Sequence, residues 1–199
     1  MKRTALRLAA GTALIAGLTL TPTTAGAAGN KTTWVNTIVI GDSITFQGTP
    51  YLLAQKPTWI VDAANGRDVA VLKHRIRVDV AEHGTPRRLI IALGQNISPD
   101  WTKADYEAAT ELVPASTEIY FISTYRDPDI FGQEAADTEA TYTGWMREIA
   151  ADRPNTHMIP WRARVIAGKV QLVDGSHPVD PDGRQYWADL VVARVALFG

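Results

Sequence analysis

The sequence contains no cysteine among its 199 residues. This absence excludes disulfide bridges, thiolate metal sites, a cysteine nucleophile and lipid attachment to an N-terminal cysteine. The fold must therefore be stabilised by burial of apolar side chains. With 46% hydrophobic residues, the chain has enough apolar surface to form the core of one ordinary domain.

An excess of charge of one sign is also missing. The 20 basic and 21 acidic residues give a formal net charge of −1, and no long run of either sign occurs. A nucleic-acid-binding protein normally carries a basic patch or stripe, so this balance argues against nucleic acid as a partner. High apolar content with little net charge also excludes a disordered chain.

Residues 1–27 have the layout of a secretory signal peptide. A basic start (2–7) is followed by an apolar stretch (8–20) and by the small residues Ala25-Gly26-Ala27, which predicts cleavage after Ala27. The apolar stretch is short for a membrane span, which needs about 20 residues, although an uncleaved anchor is an alternative. We therefore expect residues 28–199 to form a secreted or extracytoplasmic domain, with no stable membrane insertion after cleavage.

Short apolar runs alternate with longer amphipathic stretches along the mature chain. The runs are rich in β-branched residues and lack polar alternation, and they cover 37–40, 59–61, 89–93 and 119–122. Such runs are typical of strands buried on both faces of a parallel sheet. Helices are predicted over 49–55, 68–82, 102–112, 135–151 and 181–197, and a loop over 126–129. The pattern predicts an α/β protein with helices on both faces of the sheet.

Polar residues follow several of these runs, where the chemistry of open α/β sheets collects. Ser43 follows the first run, and a further apolar run, 170–173, leads into Asp174 and His177. A serine hydroxyl needs a neighbouring base, and histidine serves as one when a carboxylate fixes its tautomer and orientation. The sequence therefore predicts a triad with Ser43 as nucleophile, His177 as base and Asp174 as its orienting carboxylate.

Acyl transfer also needs hydrogen-bond donors directed at the developing oxyanion. The backbone N–H groups of Ser43 and Gly66 and the side-chain amide of Asn96 are candidates for this oxyanion hole. Taken singly, Ser43 and Asn96 are ordinary helix-capping residues, and Asp174-Gly175 is an ordinary turn. Their order along the chain, each near the end of an apolar run, favours the catalytic interpretation.

The same residues carry a resemblance to a known family. The chain resembles the SGNH, or GDSL, hydrolases, whose name-giving serine, glycine, asparagine and histidine correspond to Ser43, Gly66, Asn96 and His177. The resemblance implies a flavodoxin-like three-layer α/β/α sandwich with a central parallel sheet, a Ser–His–Asp triad and no metal or organic cofactor. It also implies esterase, lipase, carbohydrate deacetylase or O-acyltransferase activity.

The resemblance has one departure and one refinement. Many members carry aspartate directly after the oxyanion asparagine, but Ile97 follows Asn96 here, which leaves the substrate subgroup open. Three segments are similar to the extracytoplasmic domains of cell-wall O-acetyltransferases: Asn65-Gly66-Arg67-Asp68, Gly94-Gln95-Asn96 and Ile159-Pro160-Trp161.

Four further residues near predicted strand ends are candidates for substrate binding: Arg67, Trp101, Tyr125 and Arg126. The aromatic rings could stack on a sugar or line an acyl pocket, or pack locally. The arginines could hold an anionic group, or pair with the neighbouring Asp68 and Asp127. No metal site is predicted, because the histidines outside the triad show no metal-ligand spacing: His74, His83 and His157.

These observations predict an exported serine esterase that acts on a small-molecule or carbohydrate ester through an acyl-serine intermediate. A short acyl group, such as acetyl on a carbohydrate, is the expected substrate. One alternative is an O-acyltransferase that uses a glycan hydroxyl of the cell envelope in place of water. An alternative of another class is a secreted binding module without catalysis.

Overall fold

A computed structural model describes residues 33–198, so the predicted signal peptide at residues 1–27 lies outside the described residues. Five parallel strands form one sheet in the order β2-β1-β3-β4-β5. In chain order they are β1 (Trp34–Gly41), β2 (Ile60–Ala63), β3 (Thr85–Ala92), β4 (Glu118–Ile122) and β5 (Thr156–Ile159).

Helices cover both faces of this sheet. In the described part of the chain they are α1 (Ser43–Gln55), α2 (Leu72–His83), α3 (Lys103–Thr110), α4 (Pro128–Phe131), α5 (Gln133–Asp152), α6 (Trp161–Ile166) and α7 (Asp182–Phe198). Side chains of α2, α3 and α5 form one hydrophobic cluster with the sheet, and side chains of α1, α6 and α7 form the other. The predicted three-layer α/β/α sandwich with a central parallel sheet is confirmed.

Alternation along the strands explains why the stretches of strand that helices cover on both faces are apolar. In β4, Ile119 and Phe121 belong to the first cluster, whereas Tyr120 and Ile122 belong to the second. Successive side chains of a strand point to opposite faces, so a strand covered by helices on both sides needs an apolar residue at every position.

The strand order creates a crevice at the carboxyl end of the sheet. The chain passes from β1 to β2 on one side and then crosses to β3 on the other side of β1. Loops that leave β1 and β3 therefore diverge, which is where open α/β sheets bind ligands. Gly41 pairs with Ala92 at this edge, so the segments that follow these two residues begin side by side.

Several elements differ from the sequence-based expectations. The fifth strand is Thr156–Ile159, and the apolar run 170–173 is irregular, with a single bridge between Leu172 and Pro178. Strand β5 lies at the sheet edge and contains polar residues, which obscures its pattern. Helix α1 begins at Ser43 rather than residue 49, and the loop predicted at 126–129 runs into the short helix α4.

None of the helices within residues 33–198 combines the length and the hydropathy that a membrane span requires.

Candidate active site

Ser43 stands at the start of helix α1, in a tight turn after β1. The Asp42 carboxylate accepts a hydrogen bond from the Ile44 N–H (3.1 Å) and so caps the helix. Gly41 is required by the turn, since a Cβ there would lie 2.1 Å from Thr45 Oγ1. Burial raises the pKa of Asp42 to about 7, against the opposing effect of the Ile44 hydrogen bond. The turn thus holds Ser43 at the carboxyl edge of the sheet.

The predicted triad residues lie in hydrogen-bonding contact. His177 Nε2 is 2.7 Å from Ser43 Oγ, and His177 Nδ1 is 2.8 Å from Asp174 Oδ2. When Nδ1 carries the ring proton and donates a hydrogen bond to Asp174, the unprotonated Nε2 can accept a hydrogen bond from the serine hydroxyl. Ser43 is 8% exposed, so its hydroxyl is largely shielded from bulk water. This arrangement can remove the hydroxyl proton as Oγ attacks an electrophile.

The loop that carries Asp174 and His177 is held by its own hydrogen bonds. The second oxygen of Asp174, Oδ1, accepts from the N–H groups of Ser176 (3.1 Å) and His177 (2.9 Å). Desolvation opposes ionisation of Asp174, but these bonds and the imidazole outweigh it and lower the pKa of the carboxyl. Asp174 is therefore a carboxylate suited to orient His177.

Gln95 links this loop to the rest of the site, and sequence reasoning missed it. Its amide Nε2 donates to Ser176 Oγ (2.8 Å) and to the Tyr125 carbonyl, while its Oε1 accepts from the Tyr125 N–H (3.1 Å). Gln95 is buried. It thus ties the loops after β3 and β4 to the His177 loop. Only its position next to Asn96 could have indicated this role.

The other side of Ser43 is formed by the loops that carry Gly66 and Asn96. The Ala64 N–H donates to the Gly41 carbonyl (3.3 Å), so the Gly66 loop begins beside the Ser43 turn. Gly66 has φ +68°, a left-handed conformation that favours glycine. Asn96 Nδ2 donates to the Arg67 carbonyl (3.1 Å), which joins the two loops. An amide has two N–H donors, and this bond uses one of them.

Solved structures with the same architecture were found by comparison of folds, whereas neither the family models nor the curated proteins match the sequence. One is the C-terminal catalytic domain of Streptococcus pneumoniae peptidoglycan O-acetyltransferase A, solved with a methylsulfonyl adduct. Its TM-score is 0.71 at 18% sequence identity, and the match covers 82% of this chain and 93% of that domain. A lipolytic G-D-S-L family protein of Veillonella parvula has a TM-score of 0.66 and 13% identity, with 80% and 97% coverage. The chain has the SGNH hydrolase fold.

A third structure with this SGNH fold is a catalytic mutant of an acetylxylan esterase from Geobacillus stearothermophilus. Its TM-score is 0.61 at 16% identity, covering 81% of this chain and 94% of that one. The resemblance predicted from Ser43, Gly66, Asn96 and His177 is thus confirmed at the level of the fold. Identities this low establish the fold and not the substrate of this chain.

The candidate substrate-binding residues have different surroundings within the SGNH fold. Trp101 is 6% exposed and packs edge-to-face on Tyr106, so its ring belongs to the core. Tyr125 is half-buried, with the Arg162 guanidinium 5.6 Å from its ring centre. The arginines are paired, although with other acids than expected. Arg67 contacts Asp62 (2.8 Å) and Arg126 contacts Glu139 (3.6 Å), instead of Asp68 and Asp127.

Arg67 braces the Gly66 loop. Its guanidinium donates to both the carbonyl (2.7 Å) and the carboxylate (2.8 Å) of Asp62, at the end of β2. These bonds close the turn that contains Gly66. They are bonds within the protein, so the Arg67 guanidinium is already paired with Asp62. Of the two candidate rings, that of Tyr125 lies outside the hydrophobic core, and its contact with a substrate stays a prediction.

Within residues 33–198, no group of three or more histidine or carboxylate side chains is placed to hold a metal ion. The expectation that the protein needs no metal and no cofactor stays a prediction.

Proposed function

We propose that this protein is an exported serine esterase that hydrolyses short-chain carboxylic esters, with acetyl groups on carbohydrate as the expected substrates. The hydrogen-bonded series from Ser43 Oγ to His177 (2.7 Å) to Asp174 (2.8 Å) is the observation that carries this proposal. Export rests on the signal-peptide layout of residues 1–27. The carbohydrate substrate is supported by the fold shared with an acetylxylan esterase and a peptidoglycan O-acetyltransferase.

In the proposed reaction, Ser43 Oγ forms a bond to the ester carbonyl carbon while its proton moves to His177 Nε2. The carbonyl oxygen becomes an oxyanion, which accepts hydrogen bonds from the N–H groups of Ser43 and Gly66 and from Asn96 Nδ2. The tetrahedral intermediate collapses, the bond to the alcohol oxygen breaks, and His177 gives its proton to that oxygen. Water then attacks the acyl-enzyme with His177 as base, releasing the acid and regenerating Ser43.

Hydrolysis of p-nitrophenyl acetate by the mature chain tests this proposal. Ser43→Ala should lower turnover by about 10⁴-fold or more, because the nucleophile is lost. Ser116→Ala is the matched control, since this exposed serine precedes β4 at the opposite edge of the sheet. Equal rates for the wild-type protein and Ser43→Ala would contradict the acyl-serine mechanism.

O-acyltransferase activity is the second candidate, favoured by the TM-score of 0.71 to the peptidoglycan O-acetyltransferase domain. Transfer uses the same acyl-enzyme, but a sugar hydroxyl replaces water. Mass analysis of products formed with p-nitrophenyl acetate and a xylo- or chito-oligosaccharide separates the two functions. An acetylated oligosaccharide that requires Ser43 would indicate transfer, and free acetate alone would indicate hydrolysis.

A binding module without catalysis makes a different prediction for chemical labelling. An activated serine reacts with phenylmethylsulfonyl fluoride, so the Ser43 peptide should gain the sulfonyl group and His177→Ala should prevent the gain. A protein that is neither labelled nor active on p-nitrophenyl acetate would favour the binding module.

A further inference from the structure

The side-chain amide of Asn96 has one correct orientation for the proposed reaction. Only its NH₂ group can donate to an oxyanion, and a rotation of the amide by 180° would present Oδ1 in its place. Such a rotation would direct an oxygen lone pair at the negative charge. The structure must therefore contain groups that distinguish the two ends of this amide.

Two groups do so from opposite ends. The Arg67 carbonyl accepts a hydrogen bond from Nδ2 (3.1 Å), and Arg126 Nη2 donates to Oδ1 (3.1 Å). A guanidinium has donors and no acceptor, so it cannot form a hydrogen bond with an NH₂ group. Rotation of the amide would break both hydrogen bonds. It would place Oδ1 against the Arg67 carbonyl oxygen and the NH₂ group against the N–H groups of Arg126. The orientation with NH₂ available to the oxyanion is thus favoured at both ends.

Arg126 is in turn held by a carboxyl that the proposed mechanism does not use. Glu139 lies on α5 and is 0% exposed. Its Oε1 is 3.6 Å from Arg126 Nε, and neither carboxyl oxygen has a hydrogen-bond partner in the described part of the chain. The Phe131 ring lies 5.0 Å from the Arg126 guanidinium carbon and covers it. The guanidinium thus lies between the acid and the ring.

We infer that Arg126, anchored by Glu139, is a positioning residue that holds the Asn96 amide with its NH₂ group available to the oxyanion. This inference deepens the proposed function and rests on it for its effect on catalysis. The sequence offers two alternatives for Arg126, binding of an anionic substrate group or pairing with Asp127. The contacts with Glu139 and Asn96 assign its guanidinium to the protein instead.

A double-mutant cycle on p-nitrophenyl acetate hydrolysis tests the inference. Arg126→Met should lower kcat by about 10- to 100-fold with little change in KM, because the oxyanion forms only after binding. In the Asn96→Ala background the same substitution should change kcat by less than about twofold, since residues that act as a unit are not additive. Arg153→Met is the matched control: Arg153 is half-buried and bonds to backbone carbonyls at the amino end of β4.

Two outcomes of the cycle would overturn the inference. If the losses from Arg126→Met and Asn96→Ala multiply, the guanidinium acts on the reaction independently of the asparagine. If Arg126→Met keeps wild-type kcat, the guanidinium has no part in it. If Ser43→Ala does not lower the rate, the proposed function itself is contradicted. Failure of the inference about Arg126 and failure of the proposed function are therefore distinguishable.

Glu139 provides a conservative rescue. A neutral carboxyl and an amide both offer an oxygen to Arg126, so Glu139→Gln should keep kcat within about threefold of wild type. Glu139→Leu removes the oxygen that lies 3.6 Å from Arg126 Nε and should lower kcat about as much as Arg126→Met. The combined variant Arg126→Met/Glu139→Gln leaves no ionisable side chain at this buried contact and replaces Arg126→Met if that protein does not fold. Equal kcat values for Glu139→Gln and Glu139→Leu would contradict the anchoring role.

Nuclear magnetic resonance tests the positioning without any turnover. The side-chain amide signals of Asn96, assigned by their loss in Asn96→Ala, should shift and exchange faster with solvent in Arg126→Met. The same signals should be unchanged in Arg153→Met. Unchanged Asn96 signals in Arg126→Met would overturn the inference whatever the protein hydrolyses.

Discussion

The two sides of Ser43 are built in different ways; the base side (Asp174 and His177) and the oxyanion side (Gly66 and Asn96) are named after their proposed roles. On the base side, Asp174 and His177 are three residues apart, and most of their hydrogen bonds stay within that turn. On the oxyanion side, Asn96 depends on Arg67, 29 residues earlier, and on Arg126, 30 residues later. The base side is therefore formed by contacts within one turn, whereas the oxyanion side is formed by contacts between residues distant in sequence.

The carboxyl groups of the two sides differ accordingly. The side chain of Asp174 is 52% exposed, and its hydrogen bonds outweigh the desolvation that opposes ionisation, so its pKa is lowered. Glu139 is fully buried, and desolvation raises its pKa to about 8 although Arg126 and Arg162 oppose the rise. The comparison teaches that a carboxylate used for charge stays near water, whereas one used as an anchor can be buried and neutral.

The largest expected effect is on the base side. Asp174→Asn should keep the loop, because an amide oxygen can still accept from the Ser176 and His177 N–H groups. It presents an NH₂ group or a weaker acceptor to the imidazole, which favours the wrong tautomer and should lower kcat by about 10⁴-fold. Steady-state hydrolysis of p-nitrophenyl acetate measures the loss, with the exposed Asp182→Asn as control. A loss below tenfold would remove Asp174 from the triad.

On the oxyanion side the expected effect is smaller. Asn96→Ala removes one of three donors and should lower kcat by about 100- to 1000-fold. The melting temperature should change little, because Asn96 is only partly buried. Kinetics and thermal unfolding of the same preparation measure both quantities. An unaffected rate would exclude Asn96 from the oxyanion hole and would reverse the comparison between the two sides.

The pH dependence of stability separates the two kinds of carboxyl. Glu139 has a pKa of about 8 when folded and an ordinary value of 4.5, so the folded state binds the extra proton between these values. Its stabilising effect is full below pH 4.5 and is lost as the pH rises through about 8. Glu139→Gln should therefore gain melting temperature relative to wild type as the pH rises from 5 to about 8.5.

Burial raises the pKa of Asp79 to about 6, and this group acts alike in both proteins and cancels in the difference. Burial also raises the pKa of Asp42 to about 7, and its charge adds to the rise in the pKa of Glu139, so the difference reports these two groups together. Asp174 has a lowered pKa, so its contribution is lost only below pH 3.8 and lies outside the window. A constant difference in melting temperature across the window would contradict a neutral buried Glu139.

The smallest effects concern one glycine from each side. Gly66 (φ +68°) and Gly175 (φ +77°) both have left-handed backbone conformations. A Cβ at Gly66 would meet no atom within 4 Å, so Gly66→Ala should cost only backbone strain, about 1 kcal/mol of unfolding free energy. A Cβ at Gly175 would lie 2.8 Å from Asp127 Cβ and from Ile130 Cδ1, so Gly175→Ala should cost more. Urea unfolding of the two variants tests this order.

The sequence allowed prediction of features that are local or periodic. The apolar runs predicted four of the five strands, and Asp174 and His177 could be recognised because both stand in one short turn. Glu139 could not be recognised, since a glutamate in a helix with charged neighbours is normally solvated and only the packing of α5 buries it. Gln95 and Arg126 contact residues of other loops, which come together only in the folded protein. Spacing along the chain therefore does not predict these contacts. Strand β5 was not predicted, because its Thr156 and His157 interrupt the apolar pattern.

The separation of Ser43 and His177 by 134 residues has a consequence for the life of the chain before it folds. During synthesis Ser43 emerges first, and its partner follows only after every strand of the sheet. On the proposed function, a growing polypeptide therefore carries an ordinary, unreactive serine. The proposed reactivity arises only with the completed fold, so the cell that makes this protein would not meet it until the last loop is in place.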